Sequence, residues 1–383
     1  MRILAVGGGS GGHVTPVVAV LGEIKKQLPR AEIRLWCDKK FAPQAREIMG
    51  NFDKNIPVQT IFAGKFRRYH HLSVWQHIIW PSLILANIRD SFLAGLGLVQ
   101  SIFKLLVWRP DVIFTKGGYV CLPVGIAAHW LRIPTVVHDS DAHPGLTNSI
   151  LSRWATAIAT GAPLEYYNYP KKISRYVGIP ISNEFHIFSE SERKAARGLW
   201  GISQSHPLVV VTGGGLGASR INDAIAYTLK DLLKLASVVL ISGVGQYDEL
   251  RSLTPPNDDR FQLHSFVSKD MAKLLGAADV VVARAGATTI LELAALAKPT
   301  ILIPNAKLTG GHQLKNAAVY ENEGATFIVN EDRMVKQPQI LVDAVRDLLN
   351  DSKRAEEMSR KFAKFARPNA AYDVAEMIIS SSK

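Results

Sequence analysis

Short apolar segments alternate with helical stretches along the whole chain, and this alternation limits the fold more than any other feature. In the first half, helical patterns such as 17–27 and 123–131 separate the apolar segments. Strands and helices that take turns in this way predict an α/β fold with a parallel, doubly wound sheet. The predicted strands of this half lie at 3–6, 33–36, 111–115, 135–138 and 157–159.

The second half repeats this plan. Its predicted strands lie at 208–212, 238–242, 262–266, 279–283 and 300–304, and its helices at 221–235, 271–275, 289–296 and 313–323. The break falls near Gly178 and Pro180, which interrupt the pattern. We therefore predict two Rossmann-like domains facing across a cleft, over 1–180 and 181–367, with a C-terminal helix over 368–383 that packs back on the first domain.

The amino-acid composition limits the cellular compartment and the kind of binding partner that can be expected. The two cysteines, Cys37 and Cys121, stand far apart, so neither a disulfide framework nor a structural zinc site is expected, and a reducing cytoplasm fits best. The start of the chain is typical of a first strand rather than a signal peptide. The net charge of +12 calls for a negatively charged partner. No nucleic-acid-binding module is recognisable, which favours an anionic membrane surface over nucleic acid.

The stretch 279–297 has the order strand, glycine turn, helix, which predicts an anion site. Thr288 and Thr289 open a helix whose first N–H groups have no internal partner. The planar fork of Arg284 suits a phosphate, and Glu292, one turn into the helix, suits a ribose diol. The alternative is an ordinary corner, with Arg284 solvated and Glu292 in a surface ion pair.

The first glycine loop, 7–12, ends at His13. Together with Asp38 it forms a weak dinucleotide fingerprint, which leaves an NAD-type oxidoreductase as an alternative. Successive N–H groups in such a loop also hold any diphosphate. His13 is a candidate general base because its reference pKa lies near neutrality, and the alternative is that it caps the following helix.

Two further turns follow predicted strands of the first half. Residues 116–119 contain two glycines, which serve a ligand or a close helix–strand contact equally well. The loop 138–148 contains two carboxylates and two imidazoles and is the most polar cluster at any predicted strand end. Asp139 and Asp141 form a D-x-D pattern, so a divalent metal is an alternative there. In the second half, glycines at 213–217 open another helix.

These motifs, seven in the right order across both halves, resemble the MurG family of peripheral-membrane N-acetylglucosaminyltransferases. They are GGSGGHVTP at 8–16, PDV with GGY at 110–119, GLTN at 145–148, VG-x-P at 177–180, GG-x-x-GA at 213–218, ADVVV-x-R-x-GA at 278–287 with Glu292, and HQ-x-x-NA at 312–317.

The resemblance implies a GT-B fold and a known reaction. The family moves N-acetylglucosamine from UDP-N-acetylglucosamine to the C4 hydroxyl of the muramic acid of lipid I, with inversion, and so makes lipid II for peptidoglycan. The implied partners are the UDP-sugar donor, the polyprenyl-diphosphate-linked acceptor and the cytoplasmic face of the inner membrane. No cofactor and no obligatory metal are implied, and weak self-association is a further expectation.

The resemblance also implies roles for individual residues. His13 and Asp139 are the candidates to deprotonate the attacking hydroxyl. The donor would contact Ser10, Gly11, Gly12, Asp141, Gly214, Gly215, Gly217, Arg284, Gly286, Ala287, Thr288, Thr289, Glu292, His312 and Gln313. The acceptor would contact Gly8, Gly9, Gly11, Gly12, Gly118, Tyr119 and Asn148.

The chain departs from the family pattern at several positions. Asp139-Ser140-Asp141 stands where Glu-Gln-Asn is common, so a shorter carboxylate and an acidic group replace expected sugar-facing partners. Gly215-Leu216 replaces Ser-Gln and removes a hydroxyl donor. The other departures are Ile179, Ser182, Ala285 and His312.

Residues 69–88 contain no Asp, Glu, Lys or Arg and are crowded with Trp, Ile and Leu. We predict a hydrophobic membrane patch with a basic rim. Its residues are Arg67, Arg68, Trp75, Ile79, Trp80 and Leu83. The alternatives are a pair of core helices, and a spanning helix, which Pro81 and the neighbouring histidines disfavour.

Three functions compete with lipid I glycosylation. A UDP-N-acetylglucosamine epimerase would share the nucleotide site but need no lipid-facing patch. A glycolipid synthase would keep the patch and change the acceptor. A binding-only subunit would leave His13 and Asp139 without a role.

Overall fold

The computed structural model describes residues 1–8, 11–65, 81–214, 217–253, 259–267, 269–306 and 311–382. The chain divides into two compact units. The first consists of Met1–Ser182, Lys307–His312 and Arg367–Lys383, and the second of Asn183–Ala306 and Gln313–Ala366. The predicted cleft between the domains stays a prediction.

The first unit contains a seven-stranded parallel sheet. Its strands are β1 (Arg2–Val6), β2 (Glu32–Asp38), β3 (Val58–Ile61), β4 (Val112–Thr115), β5 (Thr135–Asp139), β6 (Ala157–Thr160) and β7 (Ser174–Tyr176). They are arranged in the order β3-β2-β1-β4-β5-β6-β7. The five strands predicted from the apolar segments are confirmed, whereas the two edge strands were missed because their sequences, VQTI and SRY, are short and polar.

Helices cover both faces of this sheet. They are α1 (Gly11–Gln27), α2 (Ala42–Phe52), α3 (Pro81–Val107), α4 (Cys121–Trp130), α5 (Leu146–Leu151) and, from the C-terminus, α15 (Ala370–Ser381). Side chains alternate between the faces of a strand, so Ile3 and Ala5 pack with α1, α2 and α15, while Leu4 and Val6 pack with α3 and α4. The C-terminal helix therefore completes the first core.

The second unit contains a six-stranded parallel sheet in the order β10-β9-β8-β11-β12-β13. The strands are β8 (Leu208–Thr212), β9 (Ser237–Ile241), β10 (Phe261–His264), β11 (Val280–Ala283), β12 (Thr300–Leu302) and β13 (Phe327–Ile328). Its helices are α6 (Glu190–Leu199), α7 (Ser219–Leu235), α8 (Tyr247–Leu253), α9 (Met271–Ala277), α10 (Ala287–Ala295), α11 (His312–Asn322), α12 (Glu331–Lys336), α13 (Gln339–Asn350) and α14 (Ser352–Ala363).

Each sheet reverses its strand order once. In the first sheet β1 lies between β2 and β4, and in the second β8 lies between β9 and β11. The strands β1 and β4 end at the same level, with Val6 opposite Thr115, and so do β8 and β11, with Thr212 opposite Ala283. Open α/β sheets bind ligands at such switch points, outside the carboxyl ends of the strands. The loops that follow β1, β4, β8 and β11 are therefore the places to look for a site.

Candidate functional site

The glycine loop after β1 passes very close to β2. A Cβ on Gly8 would lie 2.5 Å from Oδ2 of Asp38, so any larger residue would have to displace that carboxylate. Gly9 and Ser10 fall outside the described residues, while Gly11, Gly12 and His13 form the first turn of α1. The predicted roles of these residues stay predictions.

Asp38 is engaged inside the protein. Its Oδ1 accepts the N–H of Phe41 at 3.1 Å, and the Tyr119 hydroxyl is hydrogen-bonded to its carboxylate. The dinucleotide alternative needs this carboxylate for a ribose. These internal bonds give no support to an NAD site.

The ends of β4 and β5 bring Lys116 and Asp139 together. Lys116 is fully buried, and its Nζ donates to Oγ of Ser140, the residue after Asp139. Burial lowers the pKa of Lys116 to about 8, although the nearby carboxylates of Asp139 and Asp141 oppose that shift.

Of the two predicted catalytic groups, Asp139 is the one whose side chain the structure describes, and it is 4% exposed. Burial raises the pKa of its carboxyl to about 7, and the Asp141 charge acts in the same direction. The Tyr169 hydroxyl donates to Oδ2 at 2.7 Å, and this bond, the Asn148 amide and Lys116 favour the ionised form. A carboxyl that titrates near neutrality is suited to accept a proton from a hydroxyl.

The acceptor residues predicted after β4 lie beside this cluster. Gly117 and Gly118 adopt φ values of 88° and 87°, which favour glycine. A Cβ on Gly117 would lie 3.0 Å from the Asn148 side-chain nitrogen, so the turn and α5 are in close contact. Gly118 and Asn148 thus lie at one edge, whereas the hydroxyl of Tyr119 is directed to Asp38.

The D-x-D metal alternative finds no further ligands. Oδ2 of Asp139 accepts from Tyr169, and the ring Nε2 of His138 lies 2.8 Å from the Gly178 carbonyl oxygen. No group of three or more His, Cys, Asp or Glu side chains that could hold a metal occurs among the described residues.

The loop after β8 is a tight turn in the second unit. Gly214 has a φ of 74° and its N–H donates to Oγ1 of Thr212 at 3.1 Å. A Cβ on Gly217 would lie 2.7 Å from the Ser242 carbonyl oxygen. Gly215, between them, lies outside the described residues.

Arg284, directly after β11, is held in an internal ion pair. Its Nη2 donates to Oε1 of Glu331 at 2.5 Å and its Nη1 to the carbonyl of Ile303 at 3.0 Å. Both charged side chains are buried, and Arg220 approaches the same carboxylate at 3.4 Å. The alternative of a solvated Arg284 is therefore wrong. A direct contact of Arg284 with phosphate stays a prediction.

The turn that follows leads into α10 as predicted. Gly286 is the N-cap residue, and Ala287, Thr288 and Thr289 form the first turn, so their N–H groups face the carboxyl edge of the sheet. Asn316 from α11 donates to the carbonyl of Ala285 at 3.3 Å, which fixes the turn.

Glu292 has no protein donor among the described residues. Burial raises the pKa of its carboxyl to about 8, and no hydrogen bond or charge from the described part of the chain offsets this. The surface ion pair of the alternative interpretation is not found for the described residues. A partly buried carboxylate without donors, one turn into a helix, suits a ligand that brings hydroxyl donors.

His312 and Gln313 begin α11. Oε1 of Gln313 accepts the backbone N–H of Asn305 at 2.9 Å, which orients the amide. Their predicted contacts with sugar hydroxyls stay predictions.

Sequence reasoning missed three residues of these clusters. Lys116 gave a usable signal, because it directly follows a buried apolar strand, at the edge of the sheet where ligands bind. Tyr169 and Glu331 gave none, since their partners Asp139 and Arg284 are distant in the sequence.

The predicted membrane patch falls largely outside the described residues, which contain neither Arg67, Arg68, Trp75, Ile79 nor Trp80, and no side-chain position for Leu83. The adjoining helix α3 is described. Its segment Ile84–Val107, with a mean hydropathy of 1.4, is long and apolar enough to cross a bilayer by length and composition.

Comparison with known proteins agrees with the two parallel sheets. The glycosyltransferase family 28 N-terminal domain matches residues 3–160, and the family 28 C-terminal domain matches residues 208–374. The crystal structure of Acinetobacter baumannii MurG is similar with a TM-score of 0.74 and 23% identity, over 99% of both chains. The protein is thus a family 28 glycosyltransferase with the GT-B fold, whose two parallel-sheet α/β domains were expected.

Proteins with similar sequences define the family more closely. The UDP-N-acetylglucosamine–N-acetylmuramyl-(pentapeptide) pyrophosphoryl-undecaprenol N-acetylglucosamine transferase of Clostridium kluyveri is 33% identical over 91% of both chains. The enzyme of the same name from Acetivibrio thermocellus is 32% identical over 99% of this chain and 97% of its own. The chain belongs to this transferase family, the MurG family.

Proposed function

We propose that the chain transfers N-acetylglucosamine from UDP-N-acetylglucosamine to the C4 hydroxyl of the muramic acid of lipid I and forms lipid II. The names of its relatives give the substrates of those enzymes, and their identity over nearly the whole chain supports the same substrates here. The observation that carries the proposal is Glu292, a carboxylate that receives no hydrogen bond from the described part of the chain and lies beside the open first turn of α10.

The second unit would bind the donor. The diphosphate would lie on the N–H groups that open α10 and on the glycine turn after β8, where the positive end of a helix favours negative charge. Glu292 would accept both ribose hydroxyls, which supply the donors that the described residues do not. Arg284, fixed by Glu331, would add positive charge beside the turn.

The first unit would bind the acceptor. Its diphosphate would lie on the glycine loop that begins at Gly8, and Gly118 and Asn148 would line the same edge. His13 or Asp139 would take the proton of the C4 hydroxyl while its oxygen attacks C1 of the donor sugar. The bond from C1 to the diphosphate then breaks, and UDP leaves with the electron pair, on the face opposite to attack.

The direct test is incubation of the protein with labelled UDP-N-acetylglucosamine, with lipid I in vesicles or without acceptor. A disaccharide lipid formed only with lipid I supports the proposal. Glu292→Gln serves as the matched variant for the donor site. It keeps the size of the side chain and removes the charge that is proposed to bind the ribose hydroxyls. Free epimer, or no sugar product from the wild type, would contradict the proposal.

The epimerase alternative is compatible with the fold. The UDP-GlcNAc 2-epimerase of Neisseria meningitidis is similar with a TM-score of 0.66 and 13% identity. At that identity the likeness concerns the fold alone. The arm of the test without acceptor separates the two functions.

We further propose that α3 docks on an anionic membrane surface. A row of its side chains is exposed and apolar, at spacings of three or four residues that place them on one helix face. The row is Leu85, Ile88, Phe92, Leu96, Val99, Phe103 and Leu106, with exposures between 40% and 69%. It extends over about 32 Å of helix, and the net charge of +12 favours acidic lipid.

The opposite face of α3 packs on the protein, which supports surface docking rather than spanning. Leu105 is fully buried, and the Gln100 amide oxygen accepts the N–H of Phe62 at 2.9 Å. A Cβ on Gly97 would lie 1.8 Å from the Phe62 carbonyl oxygen, so the helix and that backbone are in direct contact. A helix bound in this way cannot be surrounded by lipid without leaving its domain.

Co-sedimentation with vesicles containing anionic lipid tests this docking. Phe92→Asp/Phe103→Asp should reduce the bound fraction at least fivefold, because two charges would enter the apolar boundary. Tyr227→Asp, a change at an exposed aromatic residue of the second unit, is the matched control. Equal binding of the α3 variant and the wild type would contradict the docking proposal.

A further inference from the structure

A buried ammonium at the carboxyl edge of the first sheet has no role in the reaction as described so far. Lys116 is 1% exposed, and its backbone N–H donates to the carbonyl of Val6 at 3.0 Å, which fixes its position next to β1. Its side chain crosses to the next strand end, where Nζ donates to Oγ of Ser140. The ammonium is thus anchored beside the carboxyl of Asp139.

Groups from several elements face Asp139. Lys116 comes from the end of β4, Tyr169 from the segment before β7, Asn148 from α5, and Asp141 from the same loop. Tyr169 is itself fixed, since its ring stacks on that of Tyr167 with centroids 5.4 Å apart. Asp139 is 4% exposed, so these groups rather than bulk water decide its charge state.

Among these groups, Lys116 supplies the positive charge. Tyr169 and Asn148 donate hydrogen bonds as neutral groups, and Asp141 adds negative charge. Of the influences that favour the carboxylate, the Tyr169 hydrogen bond is the largest, the Asn148 bond follows, and the charge of Lys116 adds to them. With burial and Asp141 both opposing ionisation, loss of Lys116 would leave only the neutral donors among these groups to favour the carboxylate.

We propose that Lys116 is a positioning residue for the transfer reaction: its buried charge at the end of β4 helps to keep the Asp139 carboxyl ionised and able to take the proton of the attacking hydroxyl. This inference rests on the proposed function and deepens it. The proton passes from the acceptor hydroxyl to the Asp139 carboxylate, the hydroxyl oxygen bonds to C1 of the donor sugar, and UDP departs with the electrons of the broken bond.

The pKa values of Lys116 and Asp139 are those expected of two neighbouring groups that influence each other's charge. Burial lowers the pKa of Lys116 to about 8 and raises that of Asp139 to about 7, so both change charge close to neutral pH. Asp139 can therefore accept a proton in one step of the cycle and release it before the next.

The variant Lys116→Gln separates charge from hydrogen bonding. Glutamine retains an N–H donor for Ser140 and removes the positive charge. Ser140→Ala is the matched control, because it removes the hydrogen-bond acceptor of Lys116 and keeps the buried positive charge. A purely structural Lys116 would make both variants lose activity equally at every pH.

The experiment is the pH profile of kcat/KM for lipid I between pH 5.5 and 9.5, with saturating UDP-N-acetylglucosamine. Lys116→Gln should move the acid limb to higher pH by about one unit, which means about tenfold lower kcat/KM near pH 6.5 and recovery toward the wild type near pH 9. Ser140→Ala should move the limb much less. An unmoved limb in Lys116→Gln, or an equal shift in Ser140→Ala, would overturn the proposal.

A second measurement does not depend on activity. Carbon-13 NMR of protein labelled at aspartate carboxyls, with Asp139→Asn used for assignment, follows the titration of Asp139 directly. Its midpoint should rise by about one unit in Lys116→Gln, and an unchanged midpoint would overturn this inference even in an active enzyme. A wild type that transfers no sugar would instead contradict the proposed function. Lys116→Met, which fills the same space without charge, serves for both measurements if Lys116→Gln does not fold.

Discussion

A carboxyl group with a raised pKa lies at the carboxyl edge of each sheet, Asp139 in the first unit and Glu292 in the second, and the protein surrounds the two differently. Asp139 in the first unit receives the Tyr169 hydroxyl and faces Lys116, so its pKa of about 7 reflects burial opposed by donors and a cation. Glu292 in the second unit has a pKa of about 8 from burial alone, with no donor among the described residues. The nearby cation, Arg284, is committed to Glu331.

This difference suits the two carboxyls to different roles, proton transfer and ligand binding. A carboxylate whose donors all come from the protein has a charge state that the fold sets, which suits a group that must gain and lose a proton. A carboxylate left without donors is stabilised only when a ligand brings them, which suits binding. We therefore assign proton transfer to the first edge and nucleotide recognition to the second.

The largest effect is expected at the first edge. Asp139→Asn keeps the shape of the side chain and removes its ability to take a proton, so kcat should fall about 100-fold or more. Steady-state turnover with lipid I measures this. A fall in kcat below about threefold would assign the base to another group, and His13→Ala measured alongside would show whether His13 is that group.

The next effect concerns stability in the second unit. Arg284→Met leaves the buried Glu331 with only the longer contact to Arg220, and we expect a loss of about 3 kcal/mol in the free energy of unfolding. Urea denaturation measures it. The double variant Arg284→Met/Glu331→Met should recover most of the loss, and a single variant as stable as the wild type would show that the pair does not support the turn.

A smaller effect is expected on donor recognition. Glu292→Gln removes the charged acceptor for the ribose hydroxyls, so KM for UDP-N-acetylglucosamine should rise about tenfold while kcat changes little. Initial rates at varied donor concentration measure this. If kcat fell and KM did not, the division between the two edges would be wrong.

The smallest effect is a pH dependence of nucleotide binding. Hydroxyl donors favour the ionised form of Glu292, so UDP binding should lower its pKa from about 8 and release a proton below that pH. Affinity for UDP should therefore rise about fivefold between pH 6.5 and 8.5. Calorimetry in two buffers of different ionisation enthalpy measures the proton release, and in Glu292→Gln that release should disappear.

The raised pKa of Glu292 also makes the stability of the folded protein depend on pH. Because burial disfavours the charged form, its contribution to stability is fully present below the unfolded value of about 4.5 and is lost as pH rises through about 8. Bound nucleotide should counter this loss.

The sequence alone predicted the fold class because buried parallel strands are continuous apolar runs with little ambiguity. All ten apolar segments proposed as strands are strands, and the turn into α10 was located correctly. The short strands β3, β7 and β13 lack such runs and were missed.

Only those features of the sites that depend on neighbouring residues in the sequence could be predicted. Glycine turns and the carboxyls of Asp139 and Glu292 are visible locally, whereas the partners that set their charge states are not. Tyr169 lies 30 residues from Asp139, and Glu331 lies 47 residues from Arg284, so only the folded chain brings them together.

The division of work between the two edges is tested most directly by the equilibrium affinity for UDP, measured by calorimetry on the wild type, Asp139→Asn and Glu292→Gln at one pH. We expect Asp139→Asn to bind UDP as tightly as the wild type and Glu292→Gln to bind it about tenfold more weakly. Weak binding by Asp139→Asn together with unchanged binding by Glu292→Gln would contradict it.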